Sequence, residues 1–358
     1  MSIEDRKKDH LLFSIKDDVE SDVSPMFQDV YFVHDAVPEI NLDEIELTTV
    51  FLEHKFSAPL IVAGMTGGHS LAKKINAAIA EAVEELRLGM GVGSQRAVLL
   101  NPNLEETFSI VREKAPTAYI IGNIGASQVV MDLTLKDLER IVEMVEADAL
   151  AIHLNPLQEA VQLEGEPFYK GFLSKAREII ENCEVPVIAK ETGAGISKEA
   201  AEKIARTGFS AIDVGGLGGT SFSKVEYYRA MSNGNKELAE ISKTFSNWGI
   251  PTALSILEVR TATNLPLIAT GGIRSGIDIA KALRLGADLV AIGRPVIQAA
   301  FSEGSTGVKK YLRKLIRELK ITLFLIGARN LTELRRKPIV FSSRMLNWIS
   351  QRRLKIPL

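Results

Sequence analysis

Pro266-Leu-Ile-Ala-Thr-Gly-Gly-Ile-Arg-Ser-Gly276 decides how this chain is read. It opens as a short apolar run without polar alternation, which suits a strand buried on both faces of a parallel sheet. The pair Gly271-Gly272 lets the backbone approach a ligand closely, and the helix that follows offers unpaired N–H groups at its start. Residues 276–286 (GIDIAKALRLG) carry the helical pattern and end at Gly286, a plausible C-cap.

Seven more segments repeat this form. They are 59–65 (PLIVAGM), 89–94 (GMGVGS), 119–125 (YIIGNIG), 149–155 (ALAIHLN), 186–192 (PVIAKET), 211–216 (AIDVGG) and 289–295 (LVAIGRP). With 266–272 the eight starts are 30, 30, 30, 37, 25, 55 and 23 residues apart. Between them lie amphipathic stretches; 72–88 places Ile75, Ile79, Val83 and Leu86 on one stripe. Eight strand–helix units predict an α/β chain, a (β/α)8 TIM barrel with an irregular N-terminal extension and a C-terminal helical tail. A doubly wound sheet is the alternative. The expected boundaries are 1–58 for the extension or substrate arm, 59–327 for the barrel and 328–358 for the basic tail. The 55-residue gap holds an insertion at about 217–250, the kind of segment that forms functional loops or lids.

The chain has 358 residues, 46 % hydrophobic and 25 % charged, and a formal net charge of −2. That balance argues against a dedicated nucleic-acid binder. No apolar run is long enough to cross a membrane, and the polar N-terminus lacks a signal-peptide core, so a cytoplasmic protein with no membrane partner is expected. Cys183 is the lone cysteine, which leaves no internal disulfide and no Cys-rich zinc module. Residues 1–50 hold 13 acids and 4 bases, whereas 301–358 hold 3 acids and 14 bases. These are either two solvated faces or a basic tail packed on an acidic surface, in the same subunit or a neighbour.

Active sites of such barrels form at the C-terminal strand ends. There the sequence gathers Met65-Thr66-Gly67, Ser94-Gln95-Arg96, Asn123, His153-Leu154-Asn155, Gln158-Glu159, Lys190, Thr220, Gly271-Gly272 with Arg274, and Gly293-Arg294. The last two loops stand where barrels bind phosphate. Lys190 ends a buried strand and needs an anion or a cofactor ring as partner, unless a neighbouring strand end supplies a salt bridge. Asn123 and Thr66 are suited to a flat heterocycle. Flavin mononucleotide (FMN) fits this set. Glu159 alone is a poor all-protein Mg2+ site and suits a metal that arrives with a diphosphate. Arg96 is built to grip phosphate oxygens in a bidentate way.

Arg6-Lys7-x-x-His10, Met65-Thr66-Gly67-Gly68, Gly91-Val92-Gly93-Ser94-Gln95-Arg96, His153-Leu154-Asn155-Pro156-x-Gln158-Glu159, Gly218-Gly219-Thr220 and Gly271-Gly272-Ile273-Arg274-Ser275-Gly276 together resemble the flavin-dependent, type 2 isopentenyl-diphosphate isomerases. The first and fourth of these motifs are specific; the glycine motifs are shared with other flavin barrels. The resemblance implies interconversion of isopentenyl and dimethylallyl diphosphates by reduced FMN, with Mg2+ and with NADPH or NADH as reductant. It implies cofactor contacts from Met65, Thr66, Gly67, Ser94, Asn123, Lys190 and Thr220, with Gly271, Gly272, Arg274, Gly293 and Arg294 at the phosphate. It implies substrate contacts from Arg6, Lys7, His10, Ser94, Gln95, Arg96, Asn155 and Gln158, catalytic roles for His153 and Gln158, and metal binding by Glu159. His153 and Gln158 would orient the substrate or neutralise charge on the flavin. The oppositely charged ends and extra segments point to a homo-oligomer, a tetramer or octamer.

The pattern departs from the family at Gly215, Leu217 and Phe222, where Ser, Gln and Trp are common, and at Ile292-Gly293-Arg294-Pro295, which looks more like hydroxy-acid oxidases. Two rivals stand beside the isomerase. One is an FMN-dependent oxidoreductase of a hydroxy acid or nucleotide. The other is a non-catalytic barrel that binds a phosphate ligand.

Overall fold

The eight apolar runs become eight parallel strands: β1 (Leu60–Val62), β2 (Gly89–Gly91), β3 (Tyr119–Gly125), β4 (Ala149–Leu154), β5 (Val187–Glu191), β6 (Ala211–Asp213), β7 (Leu267–Thr270) and β8 (Leu289–Ile292). The computed structural model describes residues 3–131 and 133–357. In it the strands close into a barrel in chain order, with β8 pairing back onto β1 through Val290 and Leu60. Closure excludes the doubly wound alternative.

Side-chain parity then divides the core in two. Ile61, Ala63, Tyr119, Ile121, Ala149, Ala151, Ile188, Ala211, Ile268, Leu289 and Ala291 belong to one buried cluster, the filling of the barrel. The intervening residues, Leu60, Val62, Ile120, Leu150, Val187, Ile212, Leu267 and Val290, belong to a second cluster with the surrounding helices. Ile75, Ile79 and Val83, on the stripe expected for 72–88, are buried in that outer layer on the helix Ser70–Leu86. Strand side chains alternate with period two, so the next inward position of β3 to β7 is Asn123, His153, Lys190, Asp213 and Thr270. The filling is apolar up to that layer and polar at it.

The N-terminal extension is more ordered than its composition implies. Ile3–Lys16 forms a helix, α1, where the sequence reads as irregular. A hairpin of Thr49–Phe51 and His54–Phe56 stoppers the N-terminal end of the barrel; Phe51 and Phe56 join the inner cluster, and Phe56 meets Tyr119 edge to face. Between them, Val30–Phe32 pairs antiparallel with Ile339–Phe341, so extension and tail form one ribbon. Basic side chains of residues 301–358 pair with barrel acids: Lys309 and Arg313 with Glu85, Arg335 with Asp288, and Arg352 with Glu199 and Glu258. Among the described residues, no helix is long and apolar enough to cross a membrane.

Candidate active site

A cleft of about 1450 Å3, counted out to its open mouth, sits over the polar layer at the C-terminal strand ends. Its floor holds Asn123, His153, Lys190 and Thr270. Its walls come from the strand-end loops, including Met65, Thr66, Gly67, Ser94, Arg96, Asn155, Gln158, Glu159, Thr220, Gly271, Gly272, Arg274, Gly293 and Arg294. Its roof is α1, which turns Arg6, Lys7, His10, Leu11 and Ser14 inward. The structure therefore brings to one cleft every residue to which the resemblance gives a catalytic, cofactor, substrate or metal role, except Gln95.

Gln95 is a correction. It is fully buried, and its Nε2 donates to the carbonyl of Ile141 at 2.8 Å while its Oε1 accepts from the Asn123 N–H at 2.8 Å. Both ends of the amide are committed to the frame, so it braces β3 from behind and does not line the cleft. Its neighbours Ser94 and Arg96 do line it.

The floor is fixed by hydrogen bonds. His153 Nδ1 lies 2.7 Å from Asn123 Oδ1. An amide oxygen only accepts, so the ring carries its proton on Nδ1 and presents an unprotonated Nε2. Burial, with the charges of Lys7 and Lys190, pushes the imidazole down to about 3. In that neutral form the ring offers Nε2 as a hydrogen-bond acceptor at the floor. Lys190 Nζ meets Asp213 Oδ2 at 2.7 Å, the neighbouring-strand salt bridge named as the alternative for it.

At the other wall, Glu159 accepts from Asn155 Nδ2 at 2.9 Å, from Gln162 Nε2 at 3.0 Å and from the Glu166 N–H at 2.8 Å. Among the described residues no group of three His, Cys, Asp or Glu is placed to hold a metal ion, so a cation at Glu159 must bring oxygens of its own. Arg96 is gripped by Glu166 through two bonds of 2.6 and 2.9 Å. Arg6, Lys7 and Arg96 raise one another's potential: burial, then Arg6 and Arg96, push the Lys7 ammonium down to about 7. Lys7 donates to the Ser94 carbonyl at 3.0 Å.

Several participants carry no local signal. Glu226 accepts from His10 at 2.8 Å and from Arg229 Nη1 at 2.6 Å, and Arg229 reaches Glu164. Glu226 and Arg229 lie one turn apart on the buried side of the helix Phe222–Ser232, inside the insertion. Their i, i+3 spacing was the available clue, but it does not reveal that His10 arrives from 216 residues away. Glu191 lines the cleft while accepting from the N–H groups of Gly193, Ala194 and Gly195; burial nonetheless pushes its carboxyl up to about 7.

One departure from the family pattern, at Gly215, has a steric reason. Gly215 has φ +48°, and a Cβ there would stand 1.9 Å from the Glu191 carbonyl oxygen, which leaves no room for Ser. Leu217 is buried away from the cleft, whereas Phe222 lines it.

The glycine end has a different character. Gly271 and Gly272 have φ of +120° and +67°, and a Cβ on either would strike the backbone after β6, at Gly216 and Gly218 respectively. Arg274 Nη2 and Arg294 Nη1 both reach Glu20 Oε1, at 2.6 and 3.0 Å, and Arg294 also donates to the Ser14 carbonyl in the last turn of α1 and to the Asp17 carbonyl just beyond it. The two arginines expected at a phosphate are thus also the stitches that hold the extension down. Thr270 Oγ1, a buried atom on a cleft-lining residue, has no hydrogen-bond partner among the described residues. A buried hydroxyl without a partner there fits a polar ligand seated on the floor.

Comparison with known proteins agrees with this geometry. A family model described as FMN-dependent dehydrogenase matches residues 158–341. An isopentenyl-diphosphate delta-isomerase from Pyrococcus horikoshii is 48 % identical over 354 residues, covering 97 % of this chain and 94 % of the relative. One from Methanosarcina barkeri is 46 % identical over 348 residues, covering 97 % and 94 %. Among solved structures, flavocytochrome b2 with sulfite bound aligns with TM-score 0.63 at 18 % identity, over 93 % of this chain and 83 % of that one. A mandelate oxidase with a monooxide FMN adduct aligns with TM-score 0.61 at 17 % identity, over 93 % and 92 %. The barrel is shared with those flavin oxidases, but near-half identity along the whole length is shared with the isomerases, and the chain belongs to the isopentenyl-diphosphate delta-isomerase family.

Proposed function

We propose that the cleft binds FMN and interconverts isopentenyl and dimethylallyl diphosphates, with the flavin reduced and acting as acid and base, and with Mg2+ on the diphosphate. The observation that carries the reading is the meeting, in one cleft, of a glycine-lined end with the cationic trio Arg6, Lys7 and Arg96 beside Glu159. A glycine shelf with the unpaired Thr270 hydroxyl suits the cofactor; Arg6, Lys7 and Arg96 beside Glu159 suit a metal diphosphate.

An unactivated alkene is a weak base, and the lining groups poised nearest neutrality, Lys7 and Glu191, are far too weak to protonate one. FMN, when bound and reduced, supplies the proton exchange at the alkene carbons. The chain's own residues do the rest. Arg6, Lys7 and Arg96 hold the diphosphate, and Glu159 holds its metal. Gln158, set between Asn155 and Glu226, and the neutral His153 orient the hydrocarbon arm. The roof formed by α1 keeps water off the reacting carbons. NADPH or NADH reduces the flavin from outside, and the working form is a homo-oligomer.

The test is to incubate reduced, FMN-loaded protein with isopentenyl diphosphate and Mg2+. The expected result is the isomer, formed without stoichiometric use of reductant. Full-rate isomerisation by flavin-free protein overturns the reading, and net oxidation of substrate favours the oxidoreductase instead. In Glu159→Gln, FMN stays bound while the Mg2+ concentration for half-maximal activity rises about tenfold or more; an unchanged requirement removes Glu159 from the metal.

A further inference from the structure

Asp213 occupies the same inward layer as Lys190, and the two are register partners across β5 and β6. Its oxygens are both engaged: Oδ2 with Lys190 Nζ at 2.7 Å, Oδ1 with the Gly215 N–H at 3.2 Å. Lys190 lines the cleft and also the small void beneath it, whereas Asp213 lines only the void. The carboxylate therefore lies behind the ammonium as seen from the cleft. Both side chains are almost wholly buried, at 11 % and 5 % exposure. A cation this deep acts on its surroundings at low dielectric, so its charge is felt strongly by whatever rests above it unless a counter-charge is close.

We propose that Asp213 is a positioning residue for the cofactor: from beneath the floor it aims Lys190 and offsets its charge. A ring seated on the floor then meets a directed N–H donor backed by a carboxylate rather than an uncompensated cation. This rests on the FMN reading given above. It assigns to Asp213 control over how strongly the site favours the anionic forms of the ring.

The test uses holoprotein and sulfite. Sulfite adds its sulfur lone pair to N5 of oxidised flavin, forming one S–N bond and leaving the ring as a two-electron-reduced anion. Its dissociation constant therefore reports the positive field under the ring. In Asp213→Asn the side chain keeps its size and an acceptor but loses its charge. The expected result is sulfite binding about tenfold tighter and a flavin midpoint potential raised by the corresponding amount, about 30 mV for a two-electron couple. Asp213→Glu returns both values toward those of the unsubstituted protein. A Asp213→Asn holoprotein with full FMN content and unchanged sulfite affinity, or weaker affinity, overturns the proposal, because a purely structural salt bridge would leave the potential alone. Should that variant fail to fold, Lys190→Met and the double variant Lys190→Met/Asp213→Asn give the same comparison: the double variant must bind sulfite more tightly than the single one, and equality overturns the assignment. Unsubstituted protein that takes up no FMN fails at an earlier point and brings down the cofactor reading along with this one.

Discussion

The two ends of the cleft hold their cations in opposite ways. At the glycine end, Arg274 and Arg294 share the carboxylate of Glu20, and Arg294 caps carbonyls near the end of α1. At the other end, Lys7 is pressed against Arg6 and Arg96 and pushed down to about 7, with the Ser94 carbonyl as its neighbour. The first arrangement is satisfied within the chain and holds an extension to a barrel. In the second, Arg96 is already paired with Glu166, but the Lys7 ammonium faces two guanidiniums with a main-chain carbonyl as its hydrogen-bond partner, and it gains most from an incoming polyanion. The two positive clusters thus do different work, and the distinction lies in Lys7: both arginines of the glycine end hold a carboxylate, whereas this lysine holds a carbonyl.

The sharpest break of this comparison is Lys7→Met. Loss of a partly buried cation from the second cluster should weaken inorganic pyrophosphate binding by about a hundredfold, measured by calorimetry. In the unsubstituted protein the same lysine sets a pH dependence. A bound anion favours the ammonium, so the affinity that Lys7 contributes, read as the difference from Lys7→Met at each pH so that the titration of pyrophosphate itself cancels, is level below pH 7 and falls by up to tenfold per unit above it. A difference that is flat from pH 6 to 9 removes Lys7 from the site.

Gln95→Leu addresses the frame. It removes two buried hydrogen bonds and strands the Asn123 N–H and the Ile141 carbonyl, a loss of about 2 kcal/mol in denaturant unfolding. Pyrophosphate affinity should stay within about twofold of the original, since the side chain does not reach the cleft. A large loss of affinity at unchanged stability restores the substrate contact expected from sequence.

Glu20→Gln is the mildest probe. Burial works to raise this carboxyl, but the hydrogen bonds and charges of Arg274 and Arg294 hold it below its ordinary range. Its contribution is present above the ordinary carboxylate pKa and fades as pH falls through the depressed value. With the carboxylate more than a third exposed, solvent screening limits the loss to about 1 kcal/mol at pH 7, vanishing once acid has protonated the carboxyl in the folded protein. A difference that persists in strong acid means the effect is packing, not charge.

How much of this was legible beforehand depends on the range of the interaction. β3 was readable to the residue, because a strand buried on both faces announces itself as an unbroken apolar run. The polar floor follows from the same runs by counting in twos. α1 was not readable: Leu11, Leu12, Phe13 and Ile15 crowd one end of it with no stripe at helical spacing, and the helix is held by Arg294, Gln298 and Glu226, all distant in sequence. Gln95 misled for a related reason. It stands between Ser94 and Arg96, which face the cleft, and only the turn into the helix Arg96–Leu100 sends its side chain the other way.

The amino-acid order by itself therefore settled the eight strands and the polar strand ends that collect at one mouth of the barrel, since each follows from hydrophobic period or from glycine's conformational freedom over a few neighbouring positions; Arg6, Lys7 and His10 came only with the family resemblance. Folding in three dimensions decided the rest: that α1 roofs the cleft, that Glu20 engages the glycine-loop arginines, that Glu226 reaches His10, and that Asp213 stands under Lys190. Those are pairings of charges brought together by barrel closure, and no local pattern records which distant partner a buried charge will meet.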